Sequence, residues 1–282
     1  MPDRRHFLTA AAAASLLPPK FSTAGPLAGK IKLGVKYHMI VEPDLSFVEK
    51  LNLLKEVGLD GCELKTTEKV DHAEVEKAIS SSGVPVHGIV NAGEPEILPA
   101  LEMARRFDCE TVLIFAREDP KLSYDENLSA WQENVRKALP FAEKHNITLS
   151  VENVRATFLK TAEGMVKFLD SFDSPLVRSY FDLGNTITWT EQPAQHWAEV
   201  LGKRIHNLDI KDRGHPEFGE PNLKREGAIG TNGGEVHWEK VREHLVANSY
   251  SGWAAAEVRG GDRKRLAGIA AWMRDVLDLD SE

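Results

Sequence analysis

Short apolar runs alternate with amphipathic stretches from Ile31 onward, and this alternation limits the fold more than any other feature of the sequence. It is typical of a parallel sheet whose strands are connected by helices. Eight runs have the length and the Val, Ile and Leu content of buried strands. They are residues 32–37, 61–65, 84–90, 111–116, 148–153, 178–182, 205–211 and 254–258.

Helix signals separate these runs. Asp71 followed by Glu74 resembles a capping box, and Gly58 and Gly83 stand where helices would end. Eight strand–helix units in a chain of 282 residues match the (β/α)8 TIM barrel, an α/β fold of about 250 residues. The alternative is an open doubly wound sheet, which commonly has a Gly-rich turn after its first strand. No such turn follows Tyr37, so the barrel is the predicted fold.

The N-terminal segment does not belong to this pattern. Paired Arg4 and Arg5, followed by an apolar, Ala-rich run to Leu17, resemble a twin-arginine export signal. The run is too short for a membrane span, which needs about 20 residues. We expect a signal peptide over residues 1–24, a barrel domain over residues 25–282 and export to the periplasm by the twin-arginine route. A fraying N-terminal helix is the alternative.

Charge and cysteine content narrow the choice of partners. The formal net charge is −8, so neither nucleic acid nor an anionic membrane surface is an expected partner without a local basic patch. Cys62 and Cys109 adjoin apolar strand residues, where a thiol is usually a small core filler, although a disulfide between them stays open. Whether the chain forms a homo-oligomer also stays open.

Three of the predicted strands end in an acid, namely Glu152, Asp182 and Glu257. The catalytic groups of a TIM barrel lie at the C-terminal ends of its strands. Alternate residues of a barrel strand face the interior. The phase that turns Glu152 inward leaves Leu149 and Val151 facing the helices, as their apolar side chains require. The acids are therefore predicted to face one interior site.

Strand seven, IHNLDIKD, contains four polar candidates, and the same alternation sorts them. Leu208 and Ile210 suit the layer next to the helices. Asp209 and Lys211 then point into the barrel, and His206 falls on the opposite face. A bulge would change this phase, so His206 stays an alternative to Asp209 as a ligand.

Four inward carboxylates on neighbouring strands would repel one another unless a cation neutralises them or some are protonated. A bound divalent metal is the simplest resolution, although each acid alone is also compatible with a structural ion pair. Oxygen ligands favour Mn²⁺, our first expectation, with Mg²⁺ and Co²⁺ as alternatives, over Zn²⁺. The predicted metal ligands are Glu152, Asp182, Asp209 and Glu257.

Further candidates lie close to the predicted strand ends. Lys211 is a candidate to stabilise an oxyanion or protonate a leaving group, or else balances the acids. Arg155, Asn185 and Arg259 follow the acid-bearing strands and are candidates to hold substrate hydroxyls, with solvated loop residues as the alternative. His87, on strand three, is a candidate for the far end of a sugar, or a hydrogen-bonded barrel histidine.

The stretches SVEN, FDLGN, LDIKDR and AAEVRGG resemble the xylose isomerase-like TIM barrel superfamily. This group contains sugar phosphate isomerases and epimerases, hydroxypyruvate isomerase, inosose-processing enzymes and endonuclease IV. The resemblance implies that Glu152, Asp182 and Glu257 bind a divalent metal, with the fourth ligand on strand seven. Asp209 stands there in place of the more usual His, which adds negative charge and leaves the substrate open.

The endonuclease branch of the superfamily fits less well. It uses a trinuclear zinc site with many more His ligands than this sequence places suitably, and the acidic charge argues against DNA.

By resemblance, Glu152 and Glu257 remove and return the proton next to a sugar carbonyl, while the metal stabilises the resulting enediolate. The predicted function is a divalent-metal-dependent isomerase or epimerase of a keto sugar or related polyol. Two alternatives stay open: a metal-dependent lyase acting on 3-keto-glycosides, and a non-catalytic carbohydrate-binding protein. The expected partner is in each case a small-molecule carbohydrate.

Overall fold

The computed structural model describes residues 25–190, 192–213, 215 and 234–280. The predicted signal peptide and most of the connection after strand seven lie outside the described residues. Within the described ranges, no helix combines the length and the apolar character that crossing a membrane requires.

The described strands close into a parallel barrel, in which each strand pairs with its neighbour in sequence and the eighth pairs with the first. This order confirms the (β/α)8 barrel and rules out the open doubly wound sheet. The predicted strand ends differ from the observed ones by at most two residues. Glu257, which was predicted to lie within the last strand, directly follows it. The strands are β1 (Ile31–Lys36), β2 (Gly61–Lys65), β3 (Val86–Val90), β4 (Thr111–Ile114), β5 (Thr148–Glu152), β6 (Val177–Asp182), β7 (Ile205–Ile210) and β8 (Gly252–Ala256).

The helices begin and end largely where the sequence signals stand. Asp71 caps its helix by accepting hydrogen bonds from the backbone N–H groups of Ala73 and Glu74, and Gly83 ends the same helix with a φ of 69°. The Glu74 carboxylate accepts instead from the Phe47 N–H, so the predicted capping box is only half formed. The helices are α1 (Phe47–Glu56), α2 (His72–Ser82), α3 (Leu98–Phe107), α4 (Tyr124–His145), α5 (Ala162–Asp170), α6 (Leu183–Trp189), α7 (Ala194–Leu201), α8 (Trp238–Ala247) and α9 (Arg263–Leu277).

Apolar clusters lie on both faces of the barrel wall. The large core cluster lies between strands and helices, and it includes Leu149, Val151 and Leu208, as the predicted phase requires. A small separate cluster of Val90, Leu113 and Tyr180 lies on the other face of the strands, inside the barrel. Most of the remaining interior is polar. The apolar side chains between strands and helices therefore stabilise the barrel, and much of its interior can hold charged groups.

Cys62 and Cys109 are both buried and free, so the disulfide that the sequence left open is not formed. The Cys109 thiol donates a hydrogen bond to the Val86 carbonyl at 3.1 Å. Burial raises the pKa of both thiols, which is consistent with their role as core residues.

A stacked ring pair fills the barrel below its C-terminal end. The rings of His87 and Trp253 are parallel within 6°, with their centroids 3.9 Å apart. A Cβ atom at Gly34 would lie 2.6 Å from His87 Nε2, and one at Gly61 would lie 2.8 Å from the Pro85 carbonyl oxygen and 3.0 Å from the Trp253 ring. A side chain is therefore disfavoured at Gly34 by the stacked rings, and at Gly61 by the neighbouring backbone together with the rings.

We expect Gly34→Ala to lower the free energy of unfolding by about 1–3 kcal/mol, since the ring pair cannot move without disturbing the core. The matched control is Gly268→Ala in α9, where an added Cβ has no atom within 4 Å. That variant should gain up to about 1 kcal/mol from helix propensity. Urea unfolding of both variants tests this packing of the stacked rings. Equal stability of Gly34→Ala and wild type would contradict it.

Candidate metal centre and active site

Four acids converge at the C-terminal end of the barrel. Glu152 ends β5, Asp182 ends β6, Asp209 lies near the end of β7, and Glu257 follows β8. One carboxylate oxygen of each lies within 4.8 Å of those of the other three. The first three residues are buried, whereas the Glu257 side chain is 40% exposed. The cluster therefore opens to solvent on the Glu257 side, as expected for an active site at this end of a TIM barrel.

Two asparagines position the C-terminal ends of β5 and β6. The Asn185 amide donates to Glu152 Oε1 at 3.1 Å, and its backbone N–H donates to Asp182 Oδ1 at 2.8 Å. Asn153 and Asp182 exchange a further pair of hydrogen bonds, each 2.8 Å long, through the Asp182 backbone. Asp182 thus also caps α6, which couples the start of this helix to the site.

Lys211 supplies a positive charge inside the cluster. Its Nζ lies 2.9 Å from Asp182 Oδ2 and 2.5 Å from Glu257 Oε2. A Cβ at position 184 would lie 2.5 Å from Lys211 Cγ, so the absence of a side chain at Gly184 makes room for the lysine stem. The prediction that Lys211 points inward is confirmed, and its ammonium group joins two of the acids.

Lys36, at the end of β1, supplies a second positive charge from the deeper side of the cluster, away from its opening to solvent. Its Nζ lies 2.6 Å from Glu63 Oε2 and 2.8 Å from Asp209 Oδ1. The Tyr180 hydroxyl donates to Glu63 Oε1 at 2.8 Å, and the Lys36 ammonium lies 4.8 Å from the centre of the Tyr180 ring. Lys36, Glu63 and Tyr180 therefore form a buried polar layer under the four acids, and this layer holds Asp209 from beneath.

The sequence placed Lys36 and Glu63 on strands that the far end of a sugar could reach, but it did not predict that they pair with Asp209 beneath the acids. The available signal was a charged residue, Lys36 or Glu63, at an inward position of an otherwise apolar strand. Which charges meet depends on strand register across the barrel, and that register was not available from the sequence alone.

The pKa values reflect an excess of negative charge. Burial, followed by the charges of the other three acids, raises the pKa of Glu152 well above its ordinary value. Burial also raises the pKa of Asp182 to about 7, against the effect of Lys211. Burial opposes the charge of Glu257 too, but Lys211 outweighs it and lowers that pKa to about 2. The two lysines therefore do not fully compensate the acids.

The donor set fits a divalent cation. Asp182 Oδ2 and Asp209 Oδ1 are buried and accept no hydrogen bond within the described residues, although each faces a lysine ammonium group. Carboxylate oxygens are the ligands that Mg²⁺ and Mn²⁺ prefer. The residues that would hold the ion are Glu152, Asp182, Asp209 and Glu257.

The two histidines weighed as site residues lie apart from this group. His206 occupies the strand face opposite Asp209, and burial together with Arg178 lowers its pKa to about 4. His87 lies in the barrel with Nδ1 3.9 Å from Glu63 Oε1, and burial lowers its pKa to about 4. Neither His87 ring nitrogen has a hydrogen bond in the described part of the chain. Its role in substrate binding stays a prediction.

The predicted substrate-binding arginines lie on exposed loops. The Arg155 guanidinium stacks over the Trp189 ring at 5.1 Å, and the Trp189 indole donates to Asn185 Oδ1 at 3.2 Å. Arg155 is therefore linked to the acid cluster through Trp189 and Asn185. The Arg259 carbonyl accepts a hydrogen bond from Arg265. Contacts of Arg155, Asn185 and Arg259 with a substrate remain predictions.

Asp212, which follows Lys211, has a separate structural role. Its carboxylate accepts hydrogen bonds from the backbone N–H groups of Glu235 and Val236 and from the Trp238 indole. It therefore attaches the start of α8 to the end of β7.

Comparison with known proteins gives the family. The sequence pattern of the xylose isomerase-like TIM barrel family matches residues 51–276, and the chain belongs to this family. A search of curated protein sequences found no match.

Solved structures with the same fold include two sugar epimerases. The 3-keto-D-glucoside 4-epimerase YcjR from E. coli is 17% identical, with a TM-score of 0.69 over 87% of this chain and 99% of that one. D-psicose 3-epimerase from Clostridium cellulolyticum H10, solved with D-tagatose, is 15% identical, with a TM-score of 0.69 over the same shares. The IOLI protein with a bound zinc atom is 13% identical, with a TM-score of 0.70 over 87% and 98%.

We expect Lys36→Met to lower the free energy of unfolding by about 3–5 kcal/mol, because it leaves Glu63 and Asp209 buried without their counter-charge. The double variant Lys36→Met/Glu63→Gln should recover part of this loss. Lys77→Met, at an exposed position of α2, is the control and should change stability little. Chemical denaturation measures all three, and a Lys36→Met variant as stable as wild type would show that the lower layer does not hold Asp209.

Proposed function

We propose that this protein is a divalent-metal-dependent isomerase or epimerase of a keto sugar or a related polyol. The observation that carries the proposal is the convergence of four carboxylates from four strand ends on one small volume. The sugar epimerases among the structural neighbours support a carbohydrate substrate, and the zinc atom bound to the IOLI protein supports a metal. We further propose Mn²⁺ as the ion, since all four donors are oxygens.

The acids have different environments, and this suits proton transfer. When bound, a divalent metal polarises the carbonyl group next to the carbon that loses its proton. Glu152 is buried and basic, with Oε1 held by Asn185, which suits it to remove that proton. Glu257 lies on the open side beside the Lys211 ammonium, which suits this pair to return a proton from the other face.

A lyase acting on 3-keto-glycosides is the second candidate. It begins with the same proton removal, after which a leaving group departs instead of a proton returning. The hydrogen bond from the Lys211 ammonium to Glu257 favours it, because it places a proton donor for a leaving group at the site. The 3-keto-D-glucoside in the name of the E. coli neighbour is consistent with such substrates.

We also propose export to the periplasm by the twin-arginine route, which the paired Arg4 and Arg5 support. Replacing both by Lys and following the protein in cell fractions tests this proposal.

The metal proposal is tested by elemental analysis of the purified protein. We expect about one divalent metal per chain, and Asp182→Asn or Asp209→Asn should weaken Mn²⁺ binding at least 10- to 100-fold by removing a charged donor. Asp170→Asn, which changes an exposed acid paired with Arg204, should leave binding unchanged. A protein that takes up no metal after Mn²⁺ is supplied would favour the non-catalytic carbohydrate-binding alternative.

The catalytic proposal is tested by solvent exchange. The metal-loaded protein should exchange a carbon-bound proton of D-psicose, D-tagatose or a 3-keto-D-glucoside in D₂O, observed by NMR. Glu152→Gln should lower this rate by about 10²- to 10⁴-fold, as expected for the loss of a general base. The exposed Glu163, paired with His196, provides the control variant Glu163→Gln.

Product analysis in the same samples separates the two candidate activities, since isomerisation conserves the mass of the sugar and elimination splits the molecule. Metal binding without proton exchange on any of these sugars would count against both the isomerase and the lyase.

A further inference from the structure

We propose that Trp189 is a positioning residue for the base Glu152, and that it acts by fixing the orientation of the Asn185 side-chain amide. The inference rests on the proposed function, because that function assigns to Glu152 the removal of a proton from a sugar. Trp189 then influences the rate of the reaction through a hydrogen-bonded neighbour and not by contact with the reacting atoms.

Helix α6 presents both residues to the site from one face. Asn185 and Trp189 are four residues apart, so their side chains are neighbours along the helix. Asp182 caps the start of this helix, and its Oδ1 accepts the Asn185 backbone N–H at 2.8 Å. Asn185 is also buried, so its amide lies away from bulk water. The Asn185 backbone is therefore fixed by Asp182, and its side chain is oriented by the groups that it contacts.

The indole N–H of Trp189 determines which end of the amide faces which neighbour. Trp189 Nε1 lies 3.2 Å from Asn185 Oδ1, and Asn185 Nδ2 lies 3.1 Å from Glu152 Oε1. An indole N–H can only donate a hydrogen bond, so the amide atom that accepts it is the oxygen. The amide nitrogen then faces Glu152. A reversed amide would set two donors against each other at Trp189 and two acceptors at an ionised Glu152, so both hydrogen bonds would be lost together.

The orientation of this amide controls the position of the base. A hydrogen bond to Oε1 fixes the plane of the buried Glu152 carboxylate and therefore the direction in which Oε2 points. A general base must lie within hydrogen-bond reach of the proton that it removes, and a misplacement of about 1 Å can lower a rate about 100-fold. Without the indole N–H, the Asn185 amide can take either orientation and holds Oε1 for only part of the time.

The Trp189 ring has a second contact, which a suitable variant leaves in place. The Arg155 guanidinium lies over the ring at 5.1 Å, so it uses the face of the ring, whereas the hydrogen bond to Asn185 uses the edge. Trp189→Phe keeps an aromatic face for Arg155 and removes only the N–H donor. Trp131→Phe is the matched control, because its indole N–H donates instead to the Arg117 carbonyl at 2.7 Å.

The first test follows the Asn185 side-chain amide by NMR in ¹⁵N-labelled, metal-free protein, with Asn185→Leu to assign its signal. We expect Trp189→Phe to shift or broaden this signal and Trp131→Phe to leave it unchanged. The Asn153 amide is the internal reference, since both of its hydrogen bonds are to the Asp182 backbone. An unchanged Asn185 signal in Trp189→Phe would overturn the proposal. A change of the Asn153 signal as large as that of Asn185 would do the same, because it would show a general disturbance of the site.

The second test measures proton exchange in D₂O by the metal-loaded protein, on whichever of D-psicose, D-tagatose or a 3-keto-D-glucoside the wild type exchanges. We expect Trp189→Phe to lower kcat about tenfold and to change KM by less than about twofold, because the N–H acts on the base and not on sugar binding. In the Asn185→Leu background the same substitution should have no further effect, since Trp189 acts through Asn185. A raised KM with unchanged kcat, or losses that add in the double variant, would overturn the proposal.

The outcomes separate this inference from the proposed function. If the wild type exchanges no sugar proton, the proposed activity fails, and the role of Trp189 in catalysis fails with it even where the NMR signal responds as expected. If the wild type exchanges the proton but the Asn185 signal ignores Trp189→Phe, only the positioning role fails.

Discussion

The repulsion among carboxylates inside the barrel is the constraint on which the site depends. Among the described residues, five acids share this interior with two lysines: Lys36 joins β1 to β2 and β7, and Lys211 joins the end of β7 to β6 and the residue after β8. Buried ion pairs seldom add net stability, because desolvation offsets their attraction. The apolar layer between strands and helices stabilises the fold and offsets the free-energy cost of burying the charged interior. A cost of this kind is expected where a protein carries its function.

The sequence predicted those parts of the site that depend on local alternation. The period-two pattern around Leu208 and Ile210 selected Asp209 and Lys211, and the structure confirms that both face inward. It did not predict what they contact. Lys36 meets Glu63 and Asp209 across 27 and 173 residues, and these pairings depend on strand register and barrel closure.

The same limit applies to side chains whose role is set by a neighbour. Asn185 is predicted to contact a substrate, and its amide also forms hydrogen bonds with Glu152 and Trp189, which the sequence did not predict. These hydrogen bonds position Glu152 and an aromatic ring over which Arg155 stacks. Neighbours at 13–17% identity share the fold, so substrate choice must be argued from such side chains and not from the barrel.

The two lysines lie at different depths of the site. Below, the stacked rings of His87 and Trp253 and the buried Lys36 fill the interior, so the acids are open only toward the C-terminal end among the described residues. Above, Lys211 and the partly exposed Glu257 face the open side. The site is therefore closed at its lower end and open at its upper end, where a metal ion or another ligand would reach the four acids.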